Sequence, residues 1–402
     1  MPGNSGTCAC FQPTFIVQSG FVHPVQTYTL PPDKLALAVE YAFARHVLYF
    51  SAIALSAIVL LALIRWRVAP RLRNRPLPFV IAVIFAITTF FDLPIDMAYH
   101  ALSLHYRISI QPWPGWFADW LKGQALSLLV TVLVVWGFYF LLRRSPTRWW
   151  LYDWIACVPL ILFSVWIEPY VVEPLFNNFQ PLAQDRPELI APIERLLHKA
   201  DVSIAQDRLF EMKASAKTNS LNAYVTGFGS SKRVVLYDTI IRKEAGPELM
   251  TTFGHELGHY VLGHIVNGII YASALLLLGF FCTWLLINFF VSRWGKRFDV
   301  RSPADAGSLP VFALILLLLN FLSDPIANAY SRRQEAQADA YSLYINNGII
   351  PSPGQAAARA FQIEGETDLE PPNPNPFIVF WLYTHPPIRD RVRLAVEYPP
   401  RQ

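Results

Sequence analysis

The sequence predicts a predominantly α protein: a polytopic membrane bundle of about six spans, with a smaller α+β domain divided around the last two. Three observations lead there. Hydrophobic residues fill 53% of the 402 positions and charged residues only 15%, whereas a soluble domain carries about 25% charge. Six apolar runs approach or exceed the roughly 18–20 residues that cross a bilayer as helix. Two polar stretches with the composition of folded soluble protein follow the fourth run and the last.

Residues 1–45 form a polar N-terminal segment without the basic start, apolar core and cleavage site of a secretory signal. Cys8 and Cys10 make a Cys-x-Cys with no second pair to complete a metal site, and four cysteines in all are too few for a disulfide framework. Residues 46–171 hold the first four spans, Val47–Ile64, Leu77–Met97, Gly123–Leu142 and Leu151–Ile167. Runs so free of charge are rare in the buried helices of soluble proteins. Cys157 and Cys282 lie in apolar runs, where a buried thiol is expected.

Residues 172–262 come next. Glu188–Ala200 places Leu189, Ile193, Leu196 and Leu197 on one helical face. "RVVLYDT" (233–239) reads as a strand, and "NAYVTGFGSSKR" (222–233) as a hairpin leading into it, turned by Gly227 and Gly229. Residues 263–329 carry the last two spans, Ile265–Val291 and Leu309–Phe321. The latter is short but continues towards Ala329 past Asp324 and Pro325. Residues 330–402 open with a charged helix and include the Pro-rich loop "EPPNPNP" (370–376). A net charge of +4 and the lack of a long basic tract predict no nucleic-acid partner.

The chemistry gathers in "GHELGHYVLGH" (254–264). His255 and His259, four apart, project from one face of a helix about one turn from each other, and Glu256 can reach a water on a metal they share. With nine histidines in 402 residues, chance is a poor source of this spacing. Two histidines leave a catalytic zinc one protein ligand short. The metzincin pattern would put Gly at Leu262 and His at Ile265; His264 misses by one, which excludes it. "SRRQEAQADAYS" (331–342) places Glu335 and Asp339 one helical turn apart. Glu335 would complete a His₂Glu site for one Zn²⁺ per chain, and Asp339 would accept the second ring N–H of a ligating histidine and fix its tautomer. Taken alone, these acids would pair with Arg332 and Arg333 on a solvated face.

Together the motifs resemble the M48 family of integral-membrane zinc peptidases, and within it the CAAX prenyl proteases of the Ste24 type. The pieces are "FADWLKG", "EPYVVEPLFNNFQPL", "LNAYVTGFGSSKRVVLYDT", "GHELGHYVLGH", "SRRQEAQADA" and "YTHPPIRDR", in family order between the spans over residues 30–395. The resemblance implies a zincin-like α+β domain with His255, His259 and Glu335 as ligands and Glu256 as general base and acid. It makes Asn222, Ala223 and Tyr224 a substrate-holding edge strand. His385 would stabilise the oxyanion, and Arg391 would be a structural or substrate-orienting partner. It also implies spans surrounding a water-filled chamber with the metal at its rim. Asp92, Asp96, Asp153 and Glu168 would either face that chamber or mark helix ends. Peptide hydrolysis needs these parts: an activated water, an oxyanion donor and an extended substrate. Two features depart from the eukaryotic members: residues 1–45 are polar where those have a further span, and "KTNSL" (217–221) replaces a Ser/His-containing stretch.

The expected function is a membrane-embedded zinc metalloendopeptidase, a monomer in the bilayer, acting on membrane-associated or lipid-modified peptides, prenylated or not. A general quality-control protease without CAAX preference is the alternative enzyme. A channel or transporter with structural zinc is the alternative from another class, and for it Glu256 would be dispensable. Orientation draws on two opposed warrants. Arginines and lysines crowd the loops at 65–75, 143–148 and 293–301, which six spans put on one side. The positive-inside rule makes that side cytoplasmic, whereas the resemblance turns the catalytic segments to the cytosol, and the latter is the expectation retained.

Overall fold

The computed structural model describes residues 24–227, 232–244 and 246–399; Cys8, Cys10 and Gly229 lie outside them. The first four long helices are α1 (Pro32–Arg65), α2 (Leu77–His105), α3 (Trp113–Arg144) and α4 (Trp149–Ile167). After α5 (Pro187–Lys199), α6 (Asp238–Lys243) and α7 (Gly246–Val261) come α8 (His264–Phe298) and α9 (Leu309–Asn346), then α10 (Pro353–Thr367), α11 (Pro376–Leu382) and α12 (Ile388–Glu397). Six of these, α1 to α4, α8 and α9, are long and apolar enough to cross a membrane.

The differences from expectation lie at element ends, and the strand expected over 233–239 stops at Tyr237, where α6 begins with Asp238. α1 begins at Pro32 and so runs across the 45/46 boundary drawn from composition; α9 runs unbroken through Pro325 across the 329/330 boundary. With 34 and 38 residues, they are about 51 and 57 Å long at 1.5 Å per residue, against a hydrocarbon core of roughly 30 Å. Hydropathy marks only the part in lipid. The polar remainder of α1 and the residues just before it pack on α10 and the loop after it: Lys34 Nζ sits 2.9 Å from Glu366, and the hydroxyl of Tyr28, ahead of α1, donates to the Glu370 carbonyl at 2.7 Å. Beyond Ile167, α4 continues through a π-helical turn, Glu168–Val172.

The spans pack in a closed ring, α1 on α2, α2 on α3, α3 on α4, α4 on α8, α8 on α9 and α9 back on α1. Neighbouring axes 8–10 Å apart set opposite members of a six-helix ring about 16–20 Å apart, which leaves a central space about one helix wide. One end of the ring is shut. Leu63, Ile81, Tyr139, Trp149, Ile287 and Phe312 form a buried cluster there, drawn from all six spans, with Phe138 and Phe312 edge-on to Trp149 at 5.2 and 5.8 Å. Above this floor a cavity of about 720 Å³ touches every span. Farther up, polar groups bridge neighbours: Ser56 donates to Asp92 at 3.1 Å, Tyr49 to Asp324 at 2.7 Å and Trp120 to Asp96 at 3.0 Å. Asp92 and Asp96 are therefore interhelical groups. Asp153 is buried at the floor and Glu168 is exposed at the end of α4. Cys157 and Cys282 are unpaired and only partly buried.

The basic loops share the floor. Arg67 donates to the Arg297 carbonyl at 2.6 Å, and Arg73 reaches Asp299 at 3.1 Å and Asp305 at 2.9 Å. At the opposite end the two polar segments fold together. Strands β1 (Phe179–Pro181), β2 (Leu209–Met212), β3 (Ala223–Thr226) and β4 (Arg233–Tyr237) form a sheet in the order β1-β2-β4-β3, with β2 and β4 parallel and the outer pairs antiparallel. β3 and β4 close the expected hairpin, Thr226 opposite Arg233, and Gly227 has a positive φ of 90°. The sheet packs on α5 and α7 through Ile193, Leu196, Val234, Leu236, Phe253 and Leu257. This leaves β3 as a free edge beside α7.

Candidate active site

Three elements meet at the end of the ring away from the floor. α7 carries Gly-His-Glu-x-Gly-His and ends at Val261, two residues before Gly263, whose φ of +69° is the left-handed conformation the chain favours in glycine just beyond a helix C-terminus. The chain then turns directly into α8, so the motif helix and the span share one corner. α9 rises from the bilayer and packs along α7. Gly254 and Gly258, one turn apart on the face that also bears the histidines, allow the approach: a Cβ on Gly258 would stand 3.1 Å from the Ala338 Cα. Gly258→Ala is expected to destabilise the fold by about 1–3 kcal/mol, the usual cost of overpacking. It should also weaken metal affinity by pushing α9 away. A melting curve and a metal titration of the purified variant check both.

Close packing brings Glu335 to the histidine pair. His255 Nε2 and His259 Nε2 are 3.1 Å apart, and Glu335 Oε2 and Oε1 lie 3.2 and 3.4 Å from them respectively. Ligand bonds of 2.0–2.1 Å in tetrahedral array put neighbouring ligand atoms about 3.3–3.4 Å apart, so the three side chains are already spaced for a zinc ion. Glu335 Oε2 is buried without a hydrogen-bond partner, and two imidazole nitrogens facing each other offer lone pairs to one point. The donor set, two imidazoles and a carboxylate with a side left open, fits a catalytic zinc. Among the described residues this trio is the one such group of potential ligands.

Asp339 lies one turn beyond Glu335, 2.7 Å from His255 Nδ1. It is held in turn by Arg391, whose Nε and Nη2 donate to its two oxygens at 2.9 and 2.8 Å. Arg391 also reaches Glu364 at 3.2 Å, is only 5% exposed, and stacks over Phe361 at 4.1 Å. It also lines the crevice that holds Glu256 and His385. His385, in the loop before α12, brings Nε2 within 3.3 Å of Glu335 Oε2, yet its side chain is 55% exposed, free to face a bound group. Glu256 shares a crevice with Asn222, Ala223, Glu244, Thr252 and His385. Burial pushes its carboxyl above the ordinary value, against the pull of the two histidines and of a hydrogen bond from the Val225 backbone. Asn222 is exposed at the start of the free edge. Strand alternation turns the Tyr224 ring away, its hydroxyl donating to Glu173 at 2.9 Å. The Tyr237 N–H donates to the Asn222 carbonyl at 3.1 Å, so antiparallel alternation also gives the Tyr224 backbone, opposite Val235, to β4 and leaves the backbones of Ala223 and Val225 at the free edge.

Two features of the site stand outside the trio of potential metal ligands. The glycine pair was legible as small residues four apart facing a partner helix. His264, set aside for missing the metzincin register, is buried with Nδ1 3.1 Å from His259 Nδ1; a register counted along the chain cannot see a contact made across a helix corner.

Comparison with known proteins agrees with this architecture. Residues 183–398 match peptidase family M48, and residues 24–178 match the CAAX prenyl protease N-terminal family, described as five membrane helices. The chain is similar to an uncharacterized metalloprotease, YhfN, of Bacillus subtilis, at 32% identity over 91% of this chain and 86% of that protein. It is also similar to CAAX prenyl protease 1 of Saccharomyces cerevisiae, at 26% identity over 83% and 77%. The fold matches the crystal structure of S. mikatae Ste24p with a TM-score of 0.78 at 22% identity, covering 92% of this chain and 90% of that one.

Proposed function

The chain belongs to peptidase family M48 as an integral-membrane metalloendopeptidase, and from that premise we propose that it hydrolyses peptide bonds at a single zinc site made by His255, His259 and Glu335. The observation that carries this is the spacing of those three side chains around one point, with Glu256 beside it. A zinc ion held there would lower the pKa of water towards 7 and polarise the scissile carbonyl. Glu256 takes the proton of the attacking water and returns it to the leaving amine. His385 donates to the developing oxyanion from its exposed position beside Glu335. An extended substrate adds to the free edge of β3, with the Ala223 backbone exchanging hydrogen bonds with it and the exposed Asn222 side chain holding its backbone, while the Tyr224 backbone, the third group expected there, is turned to β4.

The substrate is a membrane-associated or lipid-modified peptide, reaching the site from the ring of spans. The relatives named as CAAX prenyl proteases make a prenylated C-terminal peptide the first candidate. Cleavage of a farnesylated CAAX peptide and of an unmodified membrane protein, each with and without chelator, tests the reading. Chelator-sensitive cleavage of the farnesylated peptide alone supports a CAAX protease; equal cleavage of both favours general quality control, and no chelator effect on either removes the metal mechanism.

The site faces the cytosol in this reading, which puts the basic loops outside, against the positive-inside rule. Part of that loop charge is structural: Arg73 is spent on Asp299 and Asp305, and Arg67 on a carbonyl. With the native cysteines replaced and a thiol placed by Arg195→Cys on the exposed face of α5, intact cells should protect it from an impermeant reagent and permeabilised cells should not. Labelling in intact cells would reverse the orientation.

A further inference from the structure

We propose that His264 and Gln337 form a hydrogen-bond relay that fixes the tautomer of His259 and so presents its Nε2 lone pair to the metal. The inference rests on the zinc reading above and concerns two residues outside the ligand set. Both are positioning residues, acting through His259.

The geometry can be followed from either end. His264 Nε2 lies 3.2 Å from the side-chain oxygen of Gln337, an atom that can only accept. His264 Nε2 must then carry the proton. A neutral imidazole has one N–H, so His264 Nδ1 is left as an acceptor, and it stands 3.1 Å from His259 Nδ1. His259 donates across that contact, its Nδ1 holds the proton, and its Nε2 keeps a lone pair directed at His255 Nε2 and Glu335. Starting from the metal gives the same directions in reverse. A histidine that ligates through Nε2 needs Nδ1–H, hence an acceptor opposite it, hence a donor at the far side of that acceptor. With His264 neutral, this is the assignment of protons that satisfies both contacts.

Placement supports the relay. His264 is only 6% exposed, so its ring is held within the fold, while Gln337 ends the chain of contacts at the surface. It is the first residue of α8, set there by the turn at Gly263, while Gln337 lies on α9 between Glu335 and Asp339. A neighbouring glutamine on α9, Gln334, donates to the His264 backbone carbonyl at 3.3 Å, which anchors the start of α8. The two ligating histidines are thus oriented by different means. His255 has a carboxylate, Asp339, locked by Arg391; His259 has a neutral chain ending on an amide. Outer partners of this kind typically change metal affinity by 10–100-fold when removed.

The test is zinc affinity of the full-length purified protein, measured by competition with a chromogenic chelator, which needs no turnover. His264→Phe keeps the ring volume without the acceptor and should bind zinc about 10–100-fold more weakly. Gln337→Leu should shift affinity in the same direction, and Gln337→Glu, which keeps the acceptor, should bind like the parent. Because both substitutions break one relay, the double variant His264→Phe/Gln337→Leu should be no weaker than His264→Phe alone, a non-additivity that independent packing defects do not give. Parental affinity in His264→Phe, or full additivity in the double variant, would overturn the relay. Gln337 is exposed, so its variants carry the test should His264→Phe fail to fold. If the parent protein binds no zinc, the metal reading and the relay fall together; if it binds and the variants match it, the relay falls alone.

Discussion

Glu256→Gln is expected to keep its zinc and lose turnover by about 10²–10⁴-fold, the usual worth of a general base. The amide has nearly the volume of the carboxylate, so the crevice shared with Asn222, Ala223 and His385 should be preserved. What goes is the capacity to accept a proton. Glu256 is not among the three residues whose atoms converge, which is why occupancy should survive. The comparison to make is zinc content beside steady-state cleavage by the same preparation. Near-parental hydrolysis with full zinc would sink the mechanism proposed for Glu256; loss of zinc together with activity would make it a ligand instead.

Glu335→Ala should do the opposite, losing metal first and activity with it. Glu335 supplies both oxygens that face the histidine pair, at 3.2 and 3.4 Å, and alanine leaves a two-ligand site. The loss of affinity should exceed the roughly 100-fold upper end seen for outer partners, because a direct ligand is removed. Asp339→Ala should fall inside the 10–100-fold range by freeing His255 and leaving Arg391 buried without its main partner. Metal analysis that finds Glu335→Ala fully occupied would place the third ligand elsewhere. The order of effects among the three variants, Glu256→Gln least for zinc and Glu335→Ala most, is the signature expected of base, outer partner and ligand.

Much of this protein was legible in its sequence because the signals are local. A span announces itself by composition, since lipid leaves no choice but apolar side chains on a hydrogen-bonded helix. His255, Glu256 and His259 lie within five residues, and the helical period alone sets their faces. Glu335 and Asp339 are likewise one turn apart, so their shared face could be read before any partner was known. The amphipathic helix expected at 188–200, the strand expected at 233–239 and the hairpin before it follow from periodicity in the same way, although the strand gives way to α6 at Asp238.

Tertiary structure decided what periodicity cannot carry. That α1 and α9 continue beyond the bilayer depends on folded protein being there to receive their polar ends, as Glu366 receives Lys34. The ring with its closed floor depends on which spans are neighbours, a choice made by packing among side chains far apart in sequence. Arg391 could be assigned to Asp339 only once α12 was seen against α9, and the Tyr224 ring could be turned from the crevice only once the register of β3 was known. His264 shows the limit most plainly. Its spacing from His259 matches no ligand pattern, and its value lies in a contact across the corner at Gly263. Sequence by itself determined the membrane architecture, the metal motif and the chemistry they imply, because each rests on neighbours along the chain. The support around the metal was decided by the fold, because hydrogen-bond partners 52 to 84 residues apart are brought together only by close helix packing.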